Sequence, residues 1–305
     1  MGKIRQGSSK DIHQVIEGGR TVALDIISSK RVSIFDRGPM PFNFGQIGVY
    51  RTALSGKIFQ SMRDAGFSTH YLSHDVERAT TRVKPFNIYE IGVQYEGAIG
   101  KVIPLEVLFR LEITEPMLDR AHGDEEFARK LSERVDGELV VGKRLLRPLI
   151  ECSTKFEAQD RYVTDEEAIK LAKLGEVTFA EMVDLAEKGA IFVADLFASN
   201  GYRLVDGKWE FGITYQGPSI VFVDGLSLDE VRAFCPDGQR CDKEVLRIEA
   251  KKRKPEWVEA LKAAKKKWPD QKDRWPEYPP DLITEEFIAD FVGRYKKAAL
   301  DMQTM

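Results

Sequence analysis

The chain has 305 residues, 43% of them hydrophobic, which is enough for a substantial core and for two domains. Its 46 basic and 49 acidic residues leave a formal net charge of -3, so bulk charge gives no general pull toward nucleic acid or an anionic membrane. Three cysteines without a CxxC spacing argue against a disulfide framework or a zinc site. The N-terminus is polar and no apolar run nears the ~18 residues of a membrane span, so a cytoplasmic protein is expected.

In chain order, "TVALDII" and "RVSIFD" read as short strands. "GQIGVYRTALSGKIFQSMRDAG" reads as the first helix, with Ile47, Tyr50, Leu54, Ile58, Phe59 and Met62 at helical spacing and Gly66 at its C-cap. "STHYLSHD" reads as strand and turn, so His70 and His74 do not share a helical metal-binding face. "NIYEIGVQY" and "VIPLEVLFRLEI" follow as strands, with a boundary placed just before Pro104.

Residues 121 to 138 are polar and read as a loop with a short exposed helix. "TDEEAIKLAKLG" starts a helix at Thr164. "TFAEMVDLAEKGAIFVADLFASNG" is the longest helix, with a Thr178/Glu181 capping box and an Asn200-Gly201 close. It is apolar on more than one face and is expected to be largely buried. Residues 251 to 280 are basic, broken by proline, and hold three of the four tryptophans. Acids are interleaved there, which favours a solvated helix and surface connector over a nucleic-acid patch. "TEEFIADFVGRYKKAALDM" is a final amphipathic helix capped by Thr284.

The chemistry concentrates in "LVDGKWEFGITYQGPSIVFVDG", residues 204 to 225. With a turn near Gly217, Glu210 would face Asp224 across a strand pair, where like charges repel. Strand alternation puts Asp206, Lys208 and Glu210 on one face and Val205, Trp209 and Phe211 on the other. Three acids and a lysine suit a Mg²⁺ ion bridged to phosphates, with the lysine as a compact charge beside them. The competing reading is a turn at Asp206-Gly207, which would leave these residues facing solvent. Local chemistry alone leaves both open.

"LVDGKWEFG" is similar to the Leu-x-Asp-x-Lys-x-Glu-Phe-Gly stretch of the SAICAR synthase family. "VDGLSLDEVR" resembles that family's Asp-Glu-x-Ser-Pro-Asp-x-x-Arg segment, and "DKEVLR" its Asp-Lys-x-x-x-Arg element. "IPLEVLFR", "STK", "RVSIFD" and "GSSKDIH" resemble further family segments in the family's order. The resemblance implies an α+β, SAICAR synthase-like two-domain fold. A β-rich N-terminal lid (1–102) would cover a larger domain (103–305), with ATP in the cleft between.

The resemblance also implies an ATP- and Mg-dependent ligase of purine biosynthesis. It would join a phosphoribosyl-imidazole carboxylate to aspartate through an acyl phosphate. Glu210 and Asp224 become the Mg²⁺ carboxylates, with Lys208 beside the phosphates. Gly7, Ser8, Ser9 and Lys10 form a phosphate flap. Val102 marks the adenine hinge, and Lys155 and Asp206 join the nucleotide pocket. Arg110, Arg232 and Arg247 surround the phosphorylated substrate, where planar guanidinium forks suit phosphate.

Departures from the family pattern matter too. A flap lysine is replaced by Ser8, and the second acid of the Asp-Glu pair by Gly225. The family's Ala-Gly-Ser after the strand arginine and its His-Asp pair after "STK" are absent. These motivate two alternatives: a paralogue ligating another carboxylate or amine, as in a nucleoside natural-product pathway, and a nucleotide-binding protein without catalysis. The partners implied are small molecules rather than nucleic acid or membrane. The sequence is silent on oligomeric state, a homo-oligomer included.

Overall fold

A computed structural model describes residues 3–157, 160–217 and 219–302. Short β-branched runs build the first sheet from β1 (Lys3–Gln6), β2 (Lys10–Glu17) and β3 (Arg20–Ser28). After α1 (Ile47–Asp64), β4 (Tyr71–Asp75) and β5 (Thr80–Val83) complete it in the antiparallel order β1-β2-β3-β5-β4. α1 buries Ile47, Leu54, Ile58, Phe59 and Met62, the stripe read from the sequence, while Tyr50 is half-buried. It closes at Gly66 (φ 90), where the Phe67 N–H donates back to the Met62 carbonyl at 2.9 Å.

"RVSIFD" is not the expected strand. Among the described residues its only bridge is Ser33 to Pro39, and Phe35 and Asp36 take left-handed backbones (φ 53 and 54) that no strand accommodates. Val32 and Ile34 are fully buried all the same, so their hydrophobicity signalled burial rather than extension.

The second sheet starts with β6 (Phe86–Asn87), β7 (Gly100–Val102) and β8 (Leu105–Glu112). The expected strand at "NIYEIGVQY" is instead the two-residue β6 and a single 3₁₀ turn, Tyr89–Ile91. Left-handed Gly92 (φ 68) turns the chain back there. Helices α2 (Glu115–Gly123) and α3 (Glu125–Ser132) replace the expected loop with one exposed helix. Phe127 and Leu131 are buried with Met117, Leu145 and Leu149, so α3 is a packed element.

β9 (Arg144–Thr154) and β10 (Tyr162–Val163) precede α4 (Asp165–Ala172), whose Thr164 cap accepts from the Glu167 N–H. α5 (Glu176–Ser199) begins earlier than expected, at Gly175. Thr178 is therefore inside the first turn and the Thr178/Glu181 box does not form. α5 buries one broad face (Phe179, Met182, Ala186, Ala190, Val193 and Phe197), while Val177 and Ile191 are exposed. Its end at Asn200 and Gly201 (φ 76) is as read.

β11 (Arg203–Thr214), β12 (Ile220–Val223) and β13 (Val231–Phe234) complete the sheet, ordered β10-β9-β8-β11-β7-β6 with β12 and β13 also on β11. β7 and β6, both N-terminal to the expected boundary after residue 102, thus pair into this larger sheet. α6 (Glu244–Arg253), α7 (Pro255–Lys267) and α8 (Glu285–Asp301) end the described chain. Trp257 and Trp275 are buried, Trp257 against Tyr278 with ring centroids 5.3 Å apart. α8 is capped by Thr284, which accepts from the Phe287 N–H, and packs on α1. Among the described residues no helix is long and apolar enough to cross a membrane.

β11 organises everything that follows. It is one continuous 12-residue strand, so no hairpin turns at Asp206-Gly207. Its first half pairs with β8 and β13, its second half with β7 and β12. Both flanks therefore break beside the middle of β11: one at Ile103-Pro104, the other over residues 224–230.

Candidate functional site

Alternation along β11 and β8 supplies the floor of the site. Trp209 and Phe211 are buried in the main core, whereas Asp206, Lys208 and Glu210 line a cleft of about 580 Å³. On β8, Leu105, Val107 and Phe109 are buried, and Glu106, Leu108 and Arg110 face the same cleft. Glu106 was missed from sequence, although its two-residue spacing from Leu108 and Arg110 marks that face.

The hairpin register differs from the expected one. Glu210 pairs with Val223, not Asp224, and Ile213 with Ile220. Part of the expected turn, Pro218, lies outside the described residues. Thr214 fixes the register: its N–H donates to the Ser219 carbonyl, and its Oγ1 accepts from the Ser219 N–H at 3.0 Å. Asp224 comes just after β12 and is left-handed (φ 65), a conformation aspartate tolerates better than most residues. A regular strand would send its side chain away from the Glu210 face. The left-handed backbone brings it round into the cleft with Glu210.

Gly7, Ser8, Ser9 and Lys10, expected from the sequence to form a phosphate flap, reach the same cleft from the first sheet. The Gly7 N–H donates to the Lys10 carbonyl at 2.7 Å, closing the turn. The Ser9 carbonyl accepts from the Ser29 N–H and hydroxyl, and the Gly7 carbonyl from Arg31 at 3.0 Å. At the tip, Lys10 Nζ donates to both Asp224 oxygens at 3.0 Å and to Glu230 Oε1 at 3.2 Å. Lys155 pairs with Glu210, and Lys208 with Glu106 at 2.5 Å.

These pairings set the charge states. Burial opposes ionisation of Asp224, but Lys10, Lys155 and Lys208 outweigh it and hold the carboxyl down at about 2. Burial would lower Lys10, yet Asp224 and Glu230 raise it well above the ordinary lysine range. Glu210 is raised, first by burial and then by its like-charged neighbour Asp224. Two hard-oxygen acids at one end of a cleft suit Mg²⁺ that takes its remaining ligands from phosphate and water. Among the described residues no group of three or more His, Cys, Asp or Glu is placed to hold a metal ion.

Val102 lines the cleft beside an apolar cluster of Phe86, Val102, Val221 and Val223, with Ile88 against it. At the far end, Arg110 and Arg232 converge on Asp206 at 3.0 and 2.7 Å. Arg110 also donates to the Tyr162 hydroxyl at 2.7 Å. Arg247 lines the cleft from α6 and pairs with Glu244 at 2.7 Å. The structure thus brings every site residue read from the sequence to one cleft.

Reasoning from the sequence missed the buried support beneath it. Asp229 joins Arg51 at 2.9 Å, the Tyr295 hydroxyl at 2.7 Å and Lys243 at 3.7 Å. Burial opposes its charge, but Arg51 and Lys243 keep the carboxyl far below the usual range. No local pattern links positions 51, 229 and 295. Glu230 was missed as well, since nothing in its spacing points to Lys10.

The sequence model of the SAICAR synthetase family matches residues 3–264. The chain belongs to the SAICAR synthetase family. That family's enzymes are ATP-dependent ligases, and the chain is an enzyme of this class. One similar protein is a putative phosphoribosylaminoimidazole-succinocarboxamide synthase of Archaeoglobus fulgidus, 28% identical over 281 residues, covering 85% of this chain and 82% of the relative. The fold is also that of the Ehrlichia chaffeensis phosphoribosylaminoimidazole-succinocarboxamide synthase, with TM-score 0.68, 17% identity and coverage of 100% of this chain and 99% of that one. A type-2 SAICAR synthetase solved in complex with ADP gives TM-score 0.63 at 21% identity, covering 90% of this chain and 99% of the other.

Proposed function

We propose that the chain uses ATP and Mg²⁺ to join a phosphoribosyl-imidazole carboxylate to the amine of aspartate. The observation that carries this reading is the single cleft in which Glu210, Asp224, Lys10, Lys155 and Lys208 meet the arginines 110, 232 and 247. In this reading residues 1–102 act as the lid and 103–305 as the larger ATP- and substrate-binding part. The base lies by Val102 and the phosphates run under the flap. Glu210 and Asp224 hold Mg²⁺, which neutralises phosphate charge when bound.

The carboxylate oxygen attacks the γ-phosphorus, and the bond to ADP breaks. The amine then attacks the acyl phosphate carbonyl, phosphate leaves, and the amine gives up its proton. Lys208 and Lys155 are fixed cations for the transferred group. Arg232 and Arg247 hold the substrate phosphate, with Arg110 holding Asp206 and Tyr162 in place behind it. Purified protein given ATP, Mg²⁺, carboxyaminoimidazole ribotide and aspartate should release ADP and phosphate. No release above controls lacking either substrate refutes the assignment.

A second reading, another amine, is favoured by acids on the cleft wall. Glu106 and Asp160 both face the cleft, and Asp160 is pushed up to about 6 by partial burial and by Glu106. Lys208 and Lys155 balance Glu106, so it is Asp160 that repels a dicarboxylate such as aspartate and not a cationic amine. Running the same assay with an amine panel separates the two: aspartate outpacing every neutral or cationic amine excludes this reading.

A further inference from the structure

Glu230 has one carboxylate oxygen on the flap and the other on its own loop. Oε1 accepts from Lys10 at 3.2 Å. Oε2 accepts from the Ser227 N–H at 2.8 Å and from the Ser227 hydroxyl at 2.7 Å. Its backbone is fixed too: its N–H donates to the Ser227 carbonyl at 3.0 Å, and its carbonyl accepts from the Lys208 N–H at 3.1 Å. The carboxylate is thus held rigidly beside the middle of β11, where the flap lands.

A side chain at the position after Asp224 would crowd the tips of Ser55 and Lys10 in this packing. A Cβ on Gly225 would lie 2.9 Å from Ser55 Oγ and 3.4 Å from Lys10 Nζ. Ser55 Oγ is already engaged, accepting from the Leu226 N–H at 3.1 Å. Behind Gly225 a cavity of about 20 Å³, room for about one water, is bordered by Lys10, Ser55 and Glu230.

We propose that Glu230 is a positioning residue that holds the flap lysine Lys10 at the phosphate edge of the cleft. This rests on the nucleotide reading of the same cleft. Asp224 is Lys10's other anchor, and it is also one of the two acids suited to a divalent cation. Once a cation engages Asp224, that anchor weakens. Glu230, tied to Ser227, is the partner that stays, and it keeps Lys10 from swinging into solvent.

The test uses the full chain with Glu230→Gln, Lys10→Ala and the double variant. Thermal unfolding and circular dichroism establish that each is folded, and Glu230→Asp serves as a second, milder probe. Without any nucleotide, amide hydrogen exchange of residues 7–11 should speed up in Glu230→Gln. That readout is independent of the ligase assignment. Calorimetric affinity for Mg²⁺ with a non-hydrolysable ATP analogue should fall about tenfold in Glu230→Gln, the scale of one charge-assisted hydrogen bond. In the Lys10→Ala background the same substitution should cost nothing further. Unchanged flap exchange in both Glu230 variants overturns the proposal. So does a tenfold rise in half-saturating Mg²⁺ that persists in the Lys10→Ala background, because Glu230 would then act on the metal and not through Lys10. If flap exchange responds while the analogue binds none of the proteins, it is the nucleotide reading that has failed.

Discussion

At the Asp206 end of β11, two arginines converge on one carboxylate that is 4% exposed. At the Glu210 end, single lysines bridge carboxylates nearer the opening, with Lys10 and Asp224 21% and 27% exposed. The charges are similar, but the attachments differ. A guanidinium fork beside a buried acid and a tyrosine is locked by several directional bonds. An ammonium on a flexible stem is a point charge that can trade partners when a metal or phosphate arrives. The Arg110–Asp206 pair is therefore framework, whereas Arg232, 33% exposed, and the lysines are exchangeable.

Substitutions can break this contrast. Glu210→Gln should lower kcat by 10²-fold or more, on the order of losing one preorganised electrostatic group, while the melting temperature barely moves. Single-turnover ADP release with a parallel melt checks both. Asp206→Ala should do the reverse first, leaving buried Arg110 to its longer 3.4 Å pair with Glu151 at a cost of about 3 kcal/mol. Denaturant unfolding reads that loss. A melt unaffected by Asp206→Ala would erase the distinction between the two ends.

The next effect is pH-dependent and belongs to the flexible end. His70 is buried behind β12, with Nδ1 3.1 Å from the Phe222 carbonyl, and burial lowers its pKa to about 4. In the unfolded chain histidine titrates near 6.5. Between those values the unfolded state binds more protons. His70 therefore contributes stability that is fully present above about pH 6.5 and is lost as pH falls toward 4. The contribution is about 3 kcal/mol at most. In His70→Gln the stability–pH curve should be flatter in that window; an unchanged slope would contradict the reading. The smallest effect is Tyr295→Phe. It removes the hydroxyl on Asp229 and should cost about 1 kcal/mol, with kcat nearly unchanged.

What could be read from sequence was periodic. The two-residue alternation of β11 showed which side chains share a face, and β8 repeats it. The i, i+3, i+4 stripe of α1 gave that helix. Compact cues failed where the backbone leaves regular geometry. "RVSIFD" has strand composition but two left-handed residues, and the Glu210–Asp224 pairing was off by one because Asp224 sits past the strand end. Glu230 and the Arg51–Asp229–Tyr295 cluster were illegible because they depend on elements far apart in the chain. Tyr295 lies beyond residues 3–264, the part that matches the family.

One continuous strand joins the two ends. From Asp206 to Glu210 the rise is about 13 Å, set by backbone pitch and not by any side chain. The spacing between the arginine cluster and the acid pair thus behaves as a fixed gauge. Point changes at the cleft alter what the gauge carries. A single-residue insertion or deletion between 206 and 210 would turn one group toward the core and shorten or stretch the span. Natural variation in this stretch should therefore be substitutional, with length preserved.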